Sequence, residues 1–76
     1  MKEFNYKIVE HIATLGKTEC KSATFTKELN LISFDGADPK YDIRLWQHSG
    51  DSDVKMLKGI TFDKEEFEAL KKAIMR

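Results

Sequence analysis

Cys20 is the only cysteine in a chain of 76 residues, so a domain of this size must hold together without an internal disulfide. No Cys/His tetrad exists for a structural zinc either. A chain this short buries only about 60% of the surface its unfolded form exposes, and its core supplies a few kcal/mol at most. Oligomerisation is the remaining route to stability. Thirteen Lys and Arg balance thirteen Asp and Glu, which excludes binding of nucleic acid through bulk positive charge. With 41% hydrophobic and 34% charged residues and a single proline, the composition is that of one globular domain spanning residues 1–76. No apolar run approaches the ~20 residues of a membrane span, and the amino-terminal residues Met1 to Tyr6 have no signal-peptide stretch. A cytoplasmic protein is expected, and an unpaired cysteine suits that reducing compartment.

Three glycine-containing polar clusters read as turns: Leu15 to Ser22, Asp35 to Pro39 and His48 to Asp53. Between and beyond them lie four strand-like segments, Phe4 to Thr14, Phe25 to Phe34, Lys40 to Gln47 and Val54 to Phe62. The first alternates imperfectly, with Val9 and Glu10 out of phase. The third alternates well, with Tyr41, Ile43 and Leu45 on one side and Lys40, Asp42, Arg44 and Trp46 on the other. Gly59 in the fourth predicts a bulge or a close backbone approach. The last segment is a helix. Asp63 is its N-cap, Glu66 completes a capping box and Phe62 staples to Phe67. Acidic Glu65, Glu66 and Glu68 precede basic Lys71, Lys72 and Arg76, as the helix dipole favours, and Phe67, Leu70, Ala73 and Ile74 form its apolar stripe. Four strands followed by one helix predict an α+β domain, an antiparallel sheet covered on one face.

Catalytic chemistry finds little support. His11 on a strand and His48 in a loop have no metal-pair spacing, and no nucleophile–base arrangement follows from so sparse a set. Gly16-Lys17-Thr18 lacks the glycine and the strand-to-helix context of a phosphate-binding loop. Asp51 and Asp53 lack the remaining ligands of a calcium loop. No enzyme activity, cofactor, metal or small-molecule substrate is expected.

If Tyr41, Ile43 and Leu45 face the helix, Arg44 and Trp46 stand on the open face of the sheet, joined by Ile32 and Phe34 of the second strand. Exposed aromatic rings interleaved with cations suit a single-stranded nucleic acid, whose bases stack while its phosphates are neutralised. A dimer interface, or packing beneath a loop, accounts for the same residues.

Three stretches, Lys40-Tyr41-Asp42-Ile43-Arg44-Leu45-Trp46, Lys58-Gly59-Ile60-Thr61-Phe62 and Phe67 to Ile74, resemble in order and spacing the transcriptional positive cofactor four (PC4-like) family. With Thr26-Lys27-Glu28-Leu29-Asn30-Leu31, the chain resembles the bacterial YdbC branch of that family. The resemblance implies a symmetric homodimer of β-β-β-β-α protomers with helices at the interface and curved sheets that bind single-stranded DNA with little sequence preference. It further implies a transcription-linked, coactivator-like or replication or repair role in the bacterial cytoplasm or nucleoid. By position, Phe34, Arg44 and Lys58 match the family's aromatic, arginine and lysine. Trp46 falls one place before the family's tryptophan. Phe34 and Trp46 are then expected to stack bases, and Arg44, Lys58, Lys40, Lys55 and Lys27 to contact phosphates. Lys17, Lys21 and Phe25 extend the groove from the first hairpin. Single-stranded RNA fits the same contacts. The hairpin Asp35 to Pro39 is acidic where eukaryotic members are lysine-rich, and regulation through a tail like theirs is not expected. The competing expectation is a protein-interaction module that uses the aromatic sheet face.

Overall fold

The computed structural model describes residues 5–50 and 53–76. Strands β1 (Tyr6–Glu19), β2 (Thr24–Phe34), β3 (Lys40–Ser49) and β4 (Asp53–Phe62) form one antiparallel sheet in the order β1-β2-β3-β4, followed by helix α1 (Lys64–Ile74). This is the α+β arrangement expected from the sequence. Phe4 and Asp51, named above as part of a strand and of a turn, lie outside the described residues.

The first hairpin corrects the expected boundaries. The cluster from Leu15 onward is not a turn: β1 continues to Glu19, and the chain reverses at Cys20–Ala23, where Cys20 N–H donates to the Ala23 carbonyl at 2.8 Å. The imperfect alternation of β1 has a structural cause. Its register against β2 shifts between Ile8 and Glu10, between His11 and Ala13, and between Thr14 and Gly16. Each shift inserts a residue, bends the strand and increases its twist. Tyr6, Ile8, His11 and Thr14 therefore share one face, opposite Phe34, Ile32, Asn30 and Glu28 of β2. The second expected turn is present. Asp35 (φ 51°) and Gly36 (φ 77°) adopt the left-handed conformation that an Asp-Gly pair tolerates, and Asp35 N–H ties back to the Asn5 carbonyl at 2.7 Å. His48, expected in a loop, belongs to β3.

The repeated bends coil the sheet so strongly that Tyr6, at one end of β1, meets Trp46, which pairs with Thr26 near the far end of β2: their ring centroids are 5.6 Å apart. One face of the sheet thus becomes a concave trough. On its floor Ile32 and Trp46 are 0% and 1% exposed, and Asn30 and Asp42 are equally buried. This overturns the expectation that Ile32 and Trp46 stand open to solvent. Alternation assigned them to the correct face, but it carried no information on the coiling that covers them.

The opposite, convex face carries the helix. The capping box is complete: Glu66 N–H donates to Asp63 Oδ1 at 2.8 Å, and Asp63 N–H donates to Glu66 Oε1 at 2.9 Å. Phe62 meets Phe67 edge-on at 6.4 Å, and Tyr41 stacks on Phe67 at 3.9 Å, so Tyr41 faces the helix as alternation indicates. Further along α1 the apolar stripe is poorly covered. Leu70 is half-buried, Ala73 is exposed, and Ile74 and Met75 are 71% and 81% exposed. Leu15, Leu29 and Ile43 of the sheet and Phe67, Leu70 and Ile74 of the helix line an open cleft of about 270 Å³.

Candidate nucleic-acid interface

Asp42 and Arg44, two residues apart on β3, point to the same concave face. The Arg44 guanidinium grips the buried Asp42 carboxylate with both prongs, Nε to Oδ2 and Nη2 to Oδ1, each 2.6 Å. Nη1 donates to the Leu57 carbonyl at 3.0 Å, and the Thr61 hydroxyl donates to Asp42 Oδ1 at 3.1 Å. Two backbone features of β4 make room for this clamp. A register shift between Arg44 and Trp46 lies beside Leu57, and Gly59 sits directly opposite Arg44. A Cβ on Gly59 would collide with Arg44 Cβ and lie 2.8 Å from the Ile43 carbonyl oxygen. The close approach that Gly59 predicted is therefore real.

The Arg44 guanidinium carbon lies 5.8 Å from the centroid of the Phe34 ring, within cation–π range. Phe34, Arg44, Met56 and Thr61 line an open recess of about 270 Å³ at this end of the trough. Phe34 is half-buried and offers part of its ring, whereas Trp46 offers none. The recess unites a partly exposed aromatic ring with a guanidinium whose charge is already shared with Asp42. Lys40, exposed and paired with Ile32, begins the same strand as Arg44. Lys58 is exposed on β4 between Leu57 and Gly59.

The other expected site residues stand elsewhere. Lys27 pairs with Leu45, and Phe25 and Lys55 pair with Gln47, so all three belong to the sheet side opposite Arg44 and Trp46. Phe25 and Lys27 join Leu15, Lys17, Thr18 and Leu45 around a second recess of about 260 Å³. Lys17 is ion-paired to Glu19 at 3.2 Å. Lys21 is exposed at the hairpin tip. The expected gathering of cations on one face is accordingly replaced by two groups on opposite sides of the sheet.

Met56 escaped the sequence reading because the irregularity in β4 turns it to the trough face, and Thr61 because its place opposite Asp42 is set by the pairing of β3 with β4. Tyr6 escaped because its partner is distant in sequence. Asp42 was readable in principle: an acid two residues before an arginine on one strand face signals a pair.

Among the described residues no helix is long and apolar enough to cross a membrane, and no group of three His, Cys, Asp or Glu side chains converges as a metal site. No curated protein matches the chain. A family model described as Transcriptional Coactivator p15 (PC4) matches residues 21–73, from the first hairpin through nearly all of α1. Its span includes Phe34, the Asp42–Arg44 clamp, Gly59 and the capped helix. The chain belongs to the PC4 family, a non-enzymatic, nucleic-acid-binding family with a transcription-related role.

Proposed function

We propose that this protein is a homodimer that binds single-stranded DNA with little sequence preference, using the concave face of each sheet. Its role is to hold exposed strands during transcription, replication or repair, in the cytoplasm or nucleoid of a bacterium, within the YdbC branch of the family. The observation that carries this reading is the recess of Phe34, Arg44, Met56 and Thr61, in which a stacking surface and a cation meet on a curved trough. A base stacks on Phe34 beside Arg44, and Lys40 at the rim neutralises phosphates. Trp46 forms the floor that holds the trough in shape. Phe25, Lys27, Lys55 and Lys58 lie on the other side of the sheet and, with Lys17 and Lys21 of the first hairpin, provide a second track, which a longer strand reaches around that hairpin. These contacts engage bases and phosphates, so single-stranded RNA also fits.

The dimer contact is the cleft between α1 and the convex face. Ile60, Ile74 and Met75 are exposed apolar residues on this side of the sheet. A second copy packing its helix there supplies the burial that the chain lacks alone.

The test is fluorescence anisotropy of labelled oligothymidylate at two salt concentrations, with wild-type protein and Phe34→Ala. Loss of one stacked base costs about 1–3 kcal/mol of binding. Absence of binding at low salt, or an affinity unchanged by Phe34→Ala, would overturn the reading and favour a protein-interaction surface.

A further inference from the structure

The trough floor carries a polar chain outside the Phe34–Arg44 recess. Glu28, in the middle of β2, lies between two histidines on the flanking strands. Its carboxylate can only accept hydrogen bonds, which fixes the direction of its neighbours. The Thr26 hydroxyl donates to Glu28 Oε2 at 2.6 Å and so accepts from His48 Nε2 at 3.0 Å. On the other side, Asn30 Nδ2 donates to Glu28 Oε1 at 3.3 Å, and Asn30 Oδ1 accepts from His11 Nδ1 at 2.6 Å. The rings also approach the carboxylate itself: His11 Nδ1 is 3.5 Å from Oε1, and His48 Nε2 is 3.8 Å from Oε2.

Both imidazoles can take up a proton without losing a hydrogen bond. His11 Nε2 lies 3.2 Å from the Thr14 hydroxyl, which donates to a neutral ring and accepts from a protonated one. The side chains of His11 and His48 are 49% and 39% exposed, so protons and phosphates reach them. The charges around the pair are largely committed. From β1, Lys17, opposite Thr26, is paired to Glu19. From β3, Arg44, opposite Glu28, is closed on Asp42. From β4, Asp53 and Lys55 flank Val54, which sits opposite His48. Protonating both rings converts the Glu28 cluster from one net negative charge to one net positive charge, in a chain whose formal net charge is zero.

We infer that His11 and His48, joined through Glu28, make the affinity of the trough for single-stranded nucleic acid rise as pH falls through the imidazole range. This rests on the single-strand reading above. Imidazole is the side chain whose charge changes between pH 5 and 8. With neutral rings the Glu28 carboxylate repels the nucleic-acid backbone, and with two imidazolium groups beside it that repulsion is offset. Each cation that neutralises a phosphate on a single strand adds about 0.7 to the salt dependence, which is about fivefold in affinity at 0.1 M salt.

The experiment measures anisotropy of rhodamine-labelled oligothymidylate from pH 7.5 to 5.5 at several salt concentrations; thymine does not titrate in this range. Wild-type affinity is expected to rise by up to about 25-fold, with a salt slope steeper by up to about 1.4 at the lower pH. The double variant His11→Gln/His48→Gln is expected to bind with a flat pH profile, and each single variant with about half of the slope change. Glu28→Gln is expected to bind more tightly than wild type at pH 7.5. A flat wild-type profile, or a double variant that keeps the wild-type profile, overturns the inference while leaving the single-strand reading intact. No binding at any pH overturns both.

Discussion

Arg44→Ala tests whether the arginine that the family pattern assigns to nucleic acid is first of all part of the fold. Asp42 is fully buried and receives three hydrogen bonds, two of them from Arg44. Removing one partner of such a pair strands the other charge away from water, at about 3–5 kcal/mol. A chain of 76 residues has roughly 4–11 kcal/mol of total stability at 0.05–0.15 kcal/mol per residue. The variant therefore loses a large share of it. At about 4–8 °C per kcal/mol for a domain of this size, the melting midpoint falls by at least about 12 °C. Thermal unfolding followed by circular dichroism, with wild type and variant at equal protein concentration, measures the shift. The double variant Asp42→Leu/Arg44→Met removes both charges and is expected to recover most of the loss, since apolar replacement of a buried pair is often neutral. A midpoint within about 4 °C of wild type for Arg44→Ala would refute the assignment of Arg44 to the buried clamp.

Gly59→Ala places a methyl group against Arg44 Cβ and 2.9 Å from Arg44 Cα, where backbone must move. The expected loss exceeds the ordinary 1–3 kcal/mol of overpacking and is read by urea unfolding. Asp63→Ala removes the acceptor for Glu66 N–H and costs about 1 kcal/mol in the same assay. Ile74→Glu puts a charge on an exposed apolar residue of the helix cleft; light scattering should show half the wild-type mass, with the α+β circular dichroism spectrum retained.

Local signals in the sequence carried the element types well. Asp63, Glu66, Phe62 and Phe67 specify the helix start through neighbours at most five residues apart, and each contact is present. Gly59 marked a real close approach because a missing side chain is visible without knowing the fold. The trough was not legible, because it results from the summed bends of β1, and β1 reads as a poor strand ending at Thr14 for the same reason. Trp46 shows the consequence. Its parity was readable, but its burial depends on Tyr6, forty residues earlier in the chain. Lys27 and Lys55 were grouped with Arg44 by charge, although their own register puts them on the other side.

In this reading the concave face is the nucleic-acid interface. It is tested most directly by recording two-dimensional NMR spectra of the labelled protein during titration with oligothymidylate. The largest shifts are expected on Phe34, Arg44, Met56 and Thr61 and on the rim residue Lys40. Shifts confined to Ile60, Leu70 and Ile74 on the helix side, with the recess signals unmoved, would contradict it.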